Sequence, residues 1–380
     1  MKPNRRHILT GAAAGAVYLS GAGSPILGSG PALAADIGKS YSARAVALVS
    51  KSVVIDMLGV LRLEFTAKAY STRLSEQEIA DFRASGITAF HNATGVGGPN
   101  ARQDALAFLA AWHGFVGRHP ELMLQVASVN DIDKAKRDGK VAIISGLQNA
   151  DEFSNADDVQ FFYDLGLRCA QLTYNSQNLL GSGSTERVDG GLTDYGTEIV
   201  AAMNKAGMLV DVSHCGDRTT LDAIAAADGP IAITHSNCRA LVNHPRCKTD
   251  EAIRALAKKG GVMGVTGVRN FVRDRDPTTV SHIADHIDHI VKLVGIDHVG
   301  IGTDADLYGY DDMPADQNKM LREAYKSSYA FRDKIDVDGF DHPRKIYDLT
   351  EELIRRGYSE PNIAMVLGGN FRRLLGEIWK

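Results

Sequence analysis

The chain has 380 residues, 44% of them hydrophobic and 23% charged, a composition that excludes a disordered or fibrous protein. Its 42 Lys and Arg against 46 Asp and Glu give a formal charge of −4, which speaks against nucleic acid or an anionic membrane as an obligatory partner. Four cysteines in this length are too few for a disulfide scaffold.

The first 34 residues read as a targeting segment. Asn4-Arg5-Arg6-His7-Ile8-Leu9 has the form of a twin-arginine export signal, and an Ala/Gly-rich apolar stretch follows from Thr10 to Gly23. That stretch is too short and too glycine-rich to stay in a bilayer as a permanent anchor. Ala32-Leu33-Ala34 supplies an A-x-A cleavage site, so a mature chain from Ala35 to Lys380, periplasmic or secreted, is expected as one domain. Twin-arginine export carries folded proteins, which suits a chain loaded with a metal before it leaves.

From residue 50 onward short apolar runs alternate with amphipathic stretches. The runs are Ser52–Leu58, Ile87–Asn92, Val141–Leu147, Arg168–Tyr174, Met208–Ser213, Pro230–His235, Gly261–Gly267 and His298–Thr303, each reading as a strand buried on both faces. Helical patterns between them include Asn100–Gly117, Thr197–Ala206, Thr249–Lys258 and Val280–Val294. Eight strands alternating with helices predict an α/β fold, a (β/α)8 TIM-type barrel, with extra C-terminal helices from His342 packed outside it. The open doubly wound sheet is the alternative, but no strand is followed by a G-x-G-x-x-G turn.

In a barrel, chemistry belongs where the strands end. The fifth run ends in Asp211-Val212-Ser213-His214, the sixth in Thr234-His235, and the eighth in Gly302-Thr303-Asp304. Two imidazoles and a carboxylate at equivalent positions point to a divalent cation with donors from separate strands. Arg246, in the loop after the sixth strand, is placed to grip a substrate carboxylate, with a surface ion pair as the plainer alternative. His282, His286 and His289 share one helix face and read as a polar outer stripe. Cys215, Cys238 and Cys247 each follow a site residue closely, as buried thiols, ligands or an oxidised pair, while Cys169 reads as core.

Gly191-Leu192-Thr193-Asp194-Tyr195-Gly196, Val210-Asp211-Val212-Ser213-His214, Thr234-His235-Ser236-Asn237, His244-Pro245-Arg246, Gly300-Ile301-Gly302-Thr303-Asp304 and Gly368-Gly369-Asn370-Phe371 together resemble the membrane (renal-type) dipeptidase family, the M19 metallopeptidases. The resemblance implies a (β/α)8 barrel, two zinc ions bridged by a carboxylate, and dipeptide hydrolysis. It further implies that His214 and His235 hold one metal position, that Asp304 handles the proton of the attacking water, and that Arg246 holds substrate.

The other metal position departs from the family pattern. Where the family's first strand reads Asp-Gly-His-x-Asp, this one reads Asp56-Met57-Leu58-Gly59-Val60, so Leu58 and Val60 stand at the ligand positions. Gln148 stands where the bridging glutamate is expected, and Tyr174 where a substrate-contacting histidine is expected. Leu and Val bring no lone pair. Gln148 brings an oxygen but no charge, and two dications about 4 Å apart without that charge repel by several kcal/mol. The expectation is therefore a reduced, single-metal site on His214 and His235, with Gln148 as a neutral oxygen donor and His91 as a replacement donor. The ion would be zinc, with iron or copper as alternatives. Asp304 would be the catalytic base, and Arg246 and Tyr174 would bind a small peptide-like, carboxylate-bearing substrate. A homo-oligomer is compatible with the sequence. Two other readings use the same scaffold: a non-hydrolytic metalloenzyme maturing a peptide-derived metabolite, and a non-catalytic binding or accessory protein.

Overall fold

A computed structural model describes residues 39–59 and 70–379. The targeting segment and Val60 lie outside the described residues. Nine parallel strands are present: β1 (Ile55–Asp56), β2 (Ala89–Thr94), β3 (Met123–Gln125), β4 (Val141–Leu147), β5 (Leu167–Gln171), β6 (Leu209–Asp211), β7 (Ala232–Ser236), β8 (Val262–Val265) and β9 (Val299–Ile301). β1 pairs with both β2 and β9, and β2 pairs with β4, so eight strands close into a barrel. The eight runs of the sequence supply those eight strands. β3 is an addition that pairs only with Val141–Ile143 of β4, while β5 takes residues 145–147 of the same strand. Its second and third residues are only half-buried, so it leaves no apolar run in the sequence.

Helices surround the barrel, including Ala101–Gly117, Asp194–Ala206, Asp250–Lys258 and Val280–Val294. Thr193 and Thr249 cap two of them by accepting a hydrogen bond from the backbone N–H of the first turn. The helix Lys345–Arg355 lies in this outer layer, where the neighbouring Arg356 is ion-paired with Asp285 and Asp288. The final helix, Asn370–Ile378, differs in location: it closes the barrel floor. Its Phe371, Leu374 and Leu375, with Trp379, pack on Ile55, Ala89, Ala142, Cys169, Leu209, Ala232 and Val262, inward residues at the starts of seven strands. The lower barrel is therefore dry, and chemistry is confined to the upper end. Among the described residues, no helix is long and apolar enough to cross a membrane.

One irregularity shapes the upper end. The β7–β8 register shifts between Ile233 and Ser236, and the Thr234 carbonyl turns into the barrel. A Cβ placed on either Gly264 or Gly302 would lie 2.0 Å from that oxygen. Bulges re-aim side chains next to active sites, and this one sits immediately before His235. Gly302→Ala is expected to destabilise the fold by about 3 kcal/mol, as an overpacked core does. The measurement is the denaturant midpoint, and an unchanged midpoint would show that the bulge yields freely.

Candidate active site

The strand pleat explains how two histidines meet. On β6 and β7 the inward positions are Leu209, Asp211, Ala232 and Thr234, and the histidines follow where each strand ends. Asp211 fastens the two ends together. Its Oδ1 accepts from Ser213 N (2.9 Å), Ser213 Oγ (2.6 Å) and Thr234 N (3.0 Å), and its Oδ2 accepts from Thr234 Oγ1 (2.6 Å). Because the Thr234 hydroxyl gives its proton to Asp211, its oxygen accepts from His235 Nδ1 at 2.8 Å. His214 Nδ1 donates to Asn175 Oδ1, also at 2.8 Å. Both neutral rings thus carry their proton on Nδ1 and turn a bare Nε2 lone pair inward.

Those two Nε2 atoms face each other at 2.9 Å. Both rings are wholly buried. Burial, reinforced by the nearby Arg246 guanidinium, holds both well below the ordinary histidine range, so neither brings a second proton to share. Two lone pairs aimed at one point repel unless a cation lies between them. Orientation of each ring through its far nitrogen is also the outer-shell arrangement of metal-ligating histidines. The pair fits one divalent cation.

Leu58 is buried and apolar, and among the described residues no three His, Cys, Asp or Glu side chains converge as a cage. Among the described residues Asp304 does not form a three-donor group with the two imidazoles. His91 is likewise not in such a group. Its Nδ1 donates to the Met57 carbonyl at 2.8 Å, and its buried Nε2 fills the space that a Cβ on Gly146 would occupy. Gln148 is buried, and neither side-chain atom of its amide has a hydrogen-bond partner among the described residues.

Asp304 is 6% exposed and sits at φ 57°, a left-handed conformation uncommon outside glycine, of the kind that clusters at functional sites. Desolvation pushes its carboxyl up to about 7 despite the opposing pull of Arg246. Arg246 is 1% exposed, which sets aside the surface ion pair as its role. Its guanidinium lies 5.5 Å from the Phe271 ring centroid and donates to the Ser213 carbonyl and, at 3.5 Å, to that of His235. Its buried Nε has no partner among the described residues, so an N–H donor remains for an anion. Tyr174 stacks on His214, centroids 4.1 Å apart and planes 22° apart, and its hydroxyl lies 2.6 Å from that of Tyr325.

One further expectation is corrected. His286 is fully buried, not part of an outer stripe: its Nδ1 accepts from Cys238 N (3.1 Å) and its Nε2 donates to the Val272 carbonyl (3.0 Å). All four cysteines are free and buried, the first of the three readings given for Cys215, Cys238 and Cys247. Burial raises them, Cys247 to about 12, and the Cys238 and Cys247 thiols point at the carbonyls of His286 and Phe271. Sequence reasoning missed Asp211, Thr234 and Asn175. The first two were legible from the strand period, because each lies on the inward face just before a site residue. Tyr325 and Tyr329 belong to no motif and gave no signal.

Comparison with known proteins follows the same lines. A family model described as membrane dipeptidase (peptidase family M19) matches residues 42–321. Dipeptidase verJ of Clonostachys rogersoniana is 29% identical over 269 residues, 70% of this chain and 63% of its own length. Dipeptidase tcpJ of Claviceps purpurea is 26% identical over 68% of this chain and 56% of its own length, so the chain spans less than two thirds of both relatives. Among solved structures, an amidohydrolase from Pseudomonas aeruginosa is 32% identical with a TM-score of 0.76, covering 88% of this chain and 99% of its own. The probable dipeptidase PvdM of the same organism shares the fold at 22% identity and a TM-score of 0.73, covering 88% of this chain and 98% of its own.

Proposed function

The chain belongs to the membrane dipeptidase family, peptidase family M19, a family of metal-dependent peptidases, and from that membership and its site we propose that it hydrolyses an amide bond in a small carboxylate-bearing, dipeptide-like substrate using one divalent cation, zinc first. The observation that carries this reading is the pair of bare Nε2 atoms facing each other at 2.9 Å, each ring oriented through its other nitrogen. His214 and His235 hold the ion, and the Gln148 amide oxygen is the neutral candidate to join them. A divalent ion there supplies Lewis acidity to a substrate carbonyl and acidifies water.

The chain's own groups do the rest. Arg246 gives its unused N–H donor to the substrate carboxylate or to the developing oxyanion, in a buried setting where such bonds are strong. Asp304 acts as general base. It is poised near neutrality by burial, and a nearby cation moves it only downward. The acidic limb of kcat/KM is therefore expected at or below pH 7, with the rate rising as pH increases through it. Tyr174 covers one face of His214 and forms a wall of the substrate space. The cysteines lend no support to the non-hydrolytic reading, because their thiols are neutral and turned into the core. Export through the twin-arginine route, with the cation loaded beforehand, is part of the same proposal.

The test is elemental analysis of the folded protein beside the His214→Ala variant, followed by assay against L,L-, L,D- and dehydro-dipeptides. One equivalent of zinc in the parent and none in the variant is expected. Two equivalents would overturn the single-ion site, and metal content insensitive to the substitution would overturn the site itself.

A further inference from the structure

The segment after β9 covers the mouth of the barrel, and its contacts run in an unbroken chain to His214. Its neck is tied by reciprocal bonds. Asp336 accepts from the backbone N–H groups of Tyr310 (2.9 Å) and Asp311 (2.6 Å), and Asp311 accepts from those of Ile335 (3.0 Å) and Asp336 (3.1 Å). Within the loop so closed, Tyr325 packs on Tyr329 and Phe331, with ring centroids 4.3 and 5.2 Å away. The Tyr329 carbonyl accepts from His244 Nε2 (2.9 Å) and Asn270 Nδ2 (2.8 Å), which ties the loop to the barrel rim. At the edge, Lys326 pairs with Glu186 at 3.0 Å. Beside that pair the Tyr325 hydroxyl meets the Tyr174 hydroxyl at 2.6 Å, and the Tyr174 ring lies on His214.

We propose that residues 310–336 form a cap whose seating sets the His214 imidazole, with Tyr325 as a positioning residue acting through Tyr174. The Asn175 bond fixes one nitrogen of the imidazole but leaves the ring free to tilt about that contact. The Tyr174 face removes the tilt, and the Tyr325 hydroxyl holds Tyr174 in place. Cap closure and cation geometry are thereby coupled, and a ligand that lifts the cap to enter loosens the metal site until the cap reseats. This inference rests on the reading of His214 and His235 as cation ligands.

The test uses the full chain, stripped with a chelator and titrated with Co2+, reading affinity by competition and ligand geometry from the d–d spectrum. Tyr325→Phe keeps the ring and its packing and loses only the hydroxyl. It is expected to weaken Co2+ binding about 5-fold, the equilibrium effect of one such hydrogen bond, and to alter the spectrum. Tyr174→Phe should also weaken binding, and the loss in the double variant should fall short of the sum of the two single losses, because the two hydroxyls share one contact. If the parent binds one Co2+ that His214→Ala loses, yet Tyr325→Phe leaves affinity and spectrum unchanged, the positioning role is overturned and the cation site stands. Additive losses in the double variant overturn it equally. Co2+ binding that ignores His214→Ala overturns the cation site and this inference together.

Discussion

His235→Ala is expected to lose the bound cation outright, with affinity falling more than about 100-fold and amide hydrolysis falling with it. Replacing a mere outer-shell partner of a metal ligand already costs about 10–100-fold. Among the described residues two imidazoles converge, so removing one leaves a single nitrogen, which cannot retain an ion against water. Asn175→Ala, which frees the far side of His214, belongs in the outer-shell range. His91→Gln is expected to leave the cation bound, because the His91 ring is held by the Met57 carbonyl and joins no cage. Calorimetry or competition with a chromophoric chelator separates the three. The melting temperature gives a second readout: an ion at 100 times its Kd stabilises the native state by about 2.7 kcal/mol, and His235→Ala should show no such gain. Full retention of zinc by His235→Ala would leave the two facing nitrogens without a role.

Asp304→Asn is expected to lower turnover by about 100- to 10,000-fold, the range of a lost general base, while making the cation-free protein more stable at pH 8. The sign follows from proton linkage. Burial raises the folded-state carboxyl from its ordinary 3.8 to about 7, so between those values the folded chain keeps a proton that the unfolded chain releases. Native stability from this group therefore falls as pH rises through that window and stays low above it. The amide does not ionise and escapes the penalty, and asparagine tolerates the left-handed φ of 57° at this position. Parent and variant should melt together near pH 4 in chelator and separate by pH 8, with the variant higher. A parent that is the more stable of the two at pH 8 would mean that the carboxylate has a partner that offsets its burial. Together these outcomes would show a site that gives up stability for a base poised near neutrality.

Much of this was legible from residue order. Strands buried on both faces leave continuous apolar runs, so the eight barrel strands were readable, whereas β3, half-buried and three residues long, was not. His214, His235, Arg246 and Asp304 were readable because a barrel puts chemistry at strand ends and because motifs surround each of them. That Leu58 brings no lone pair and Gln148 no charge was equally plain, since each is recognised by residue type alone.

What only the tertiary structure decided concerns orientation and enclosure. That the two Nε2 lone pairs face each other depends on Thr234 passing its proton to Asp211 and on Asn175 accepting from His214, bonds between segments up to 39 residues apart. That burial pushes the Asp304 carboxyl up, that His286 is interior, and that Tyr325 reaches His214 through Tyr174 are equally absent from the chain order. Sequence fixes which groups exist and how the backbone period distributes them. Directions of lone pairs and the dryness that shifts a carboxyl arise only when distant segments pack, because both depend on which neighbours exclude water.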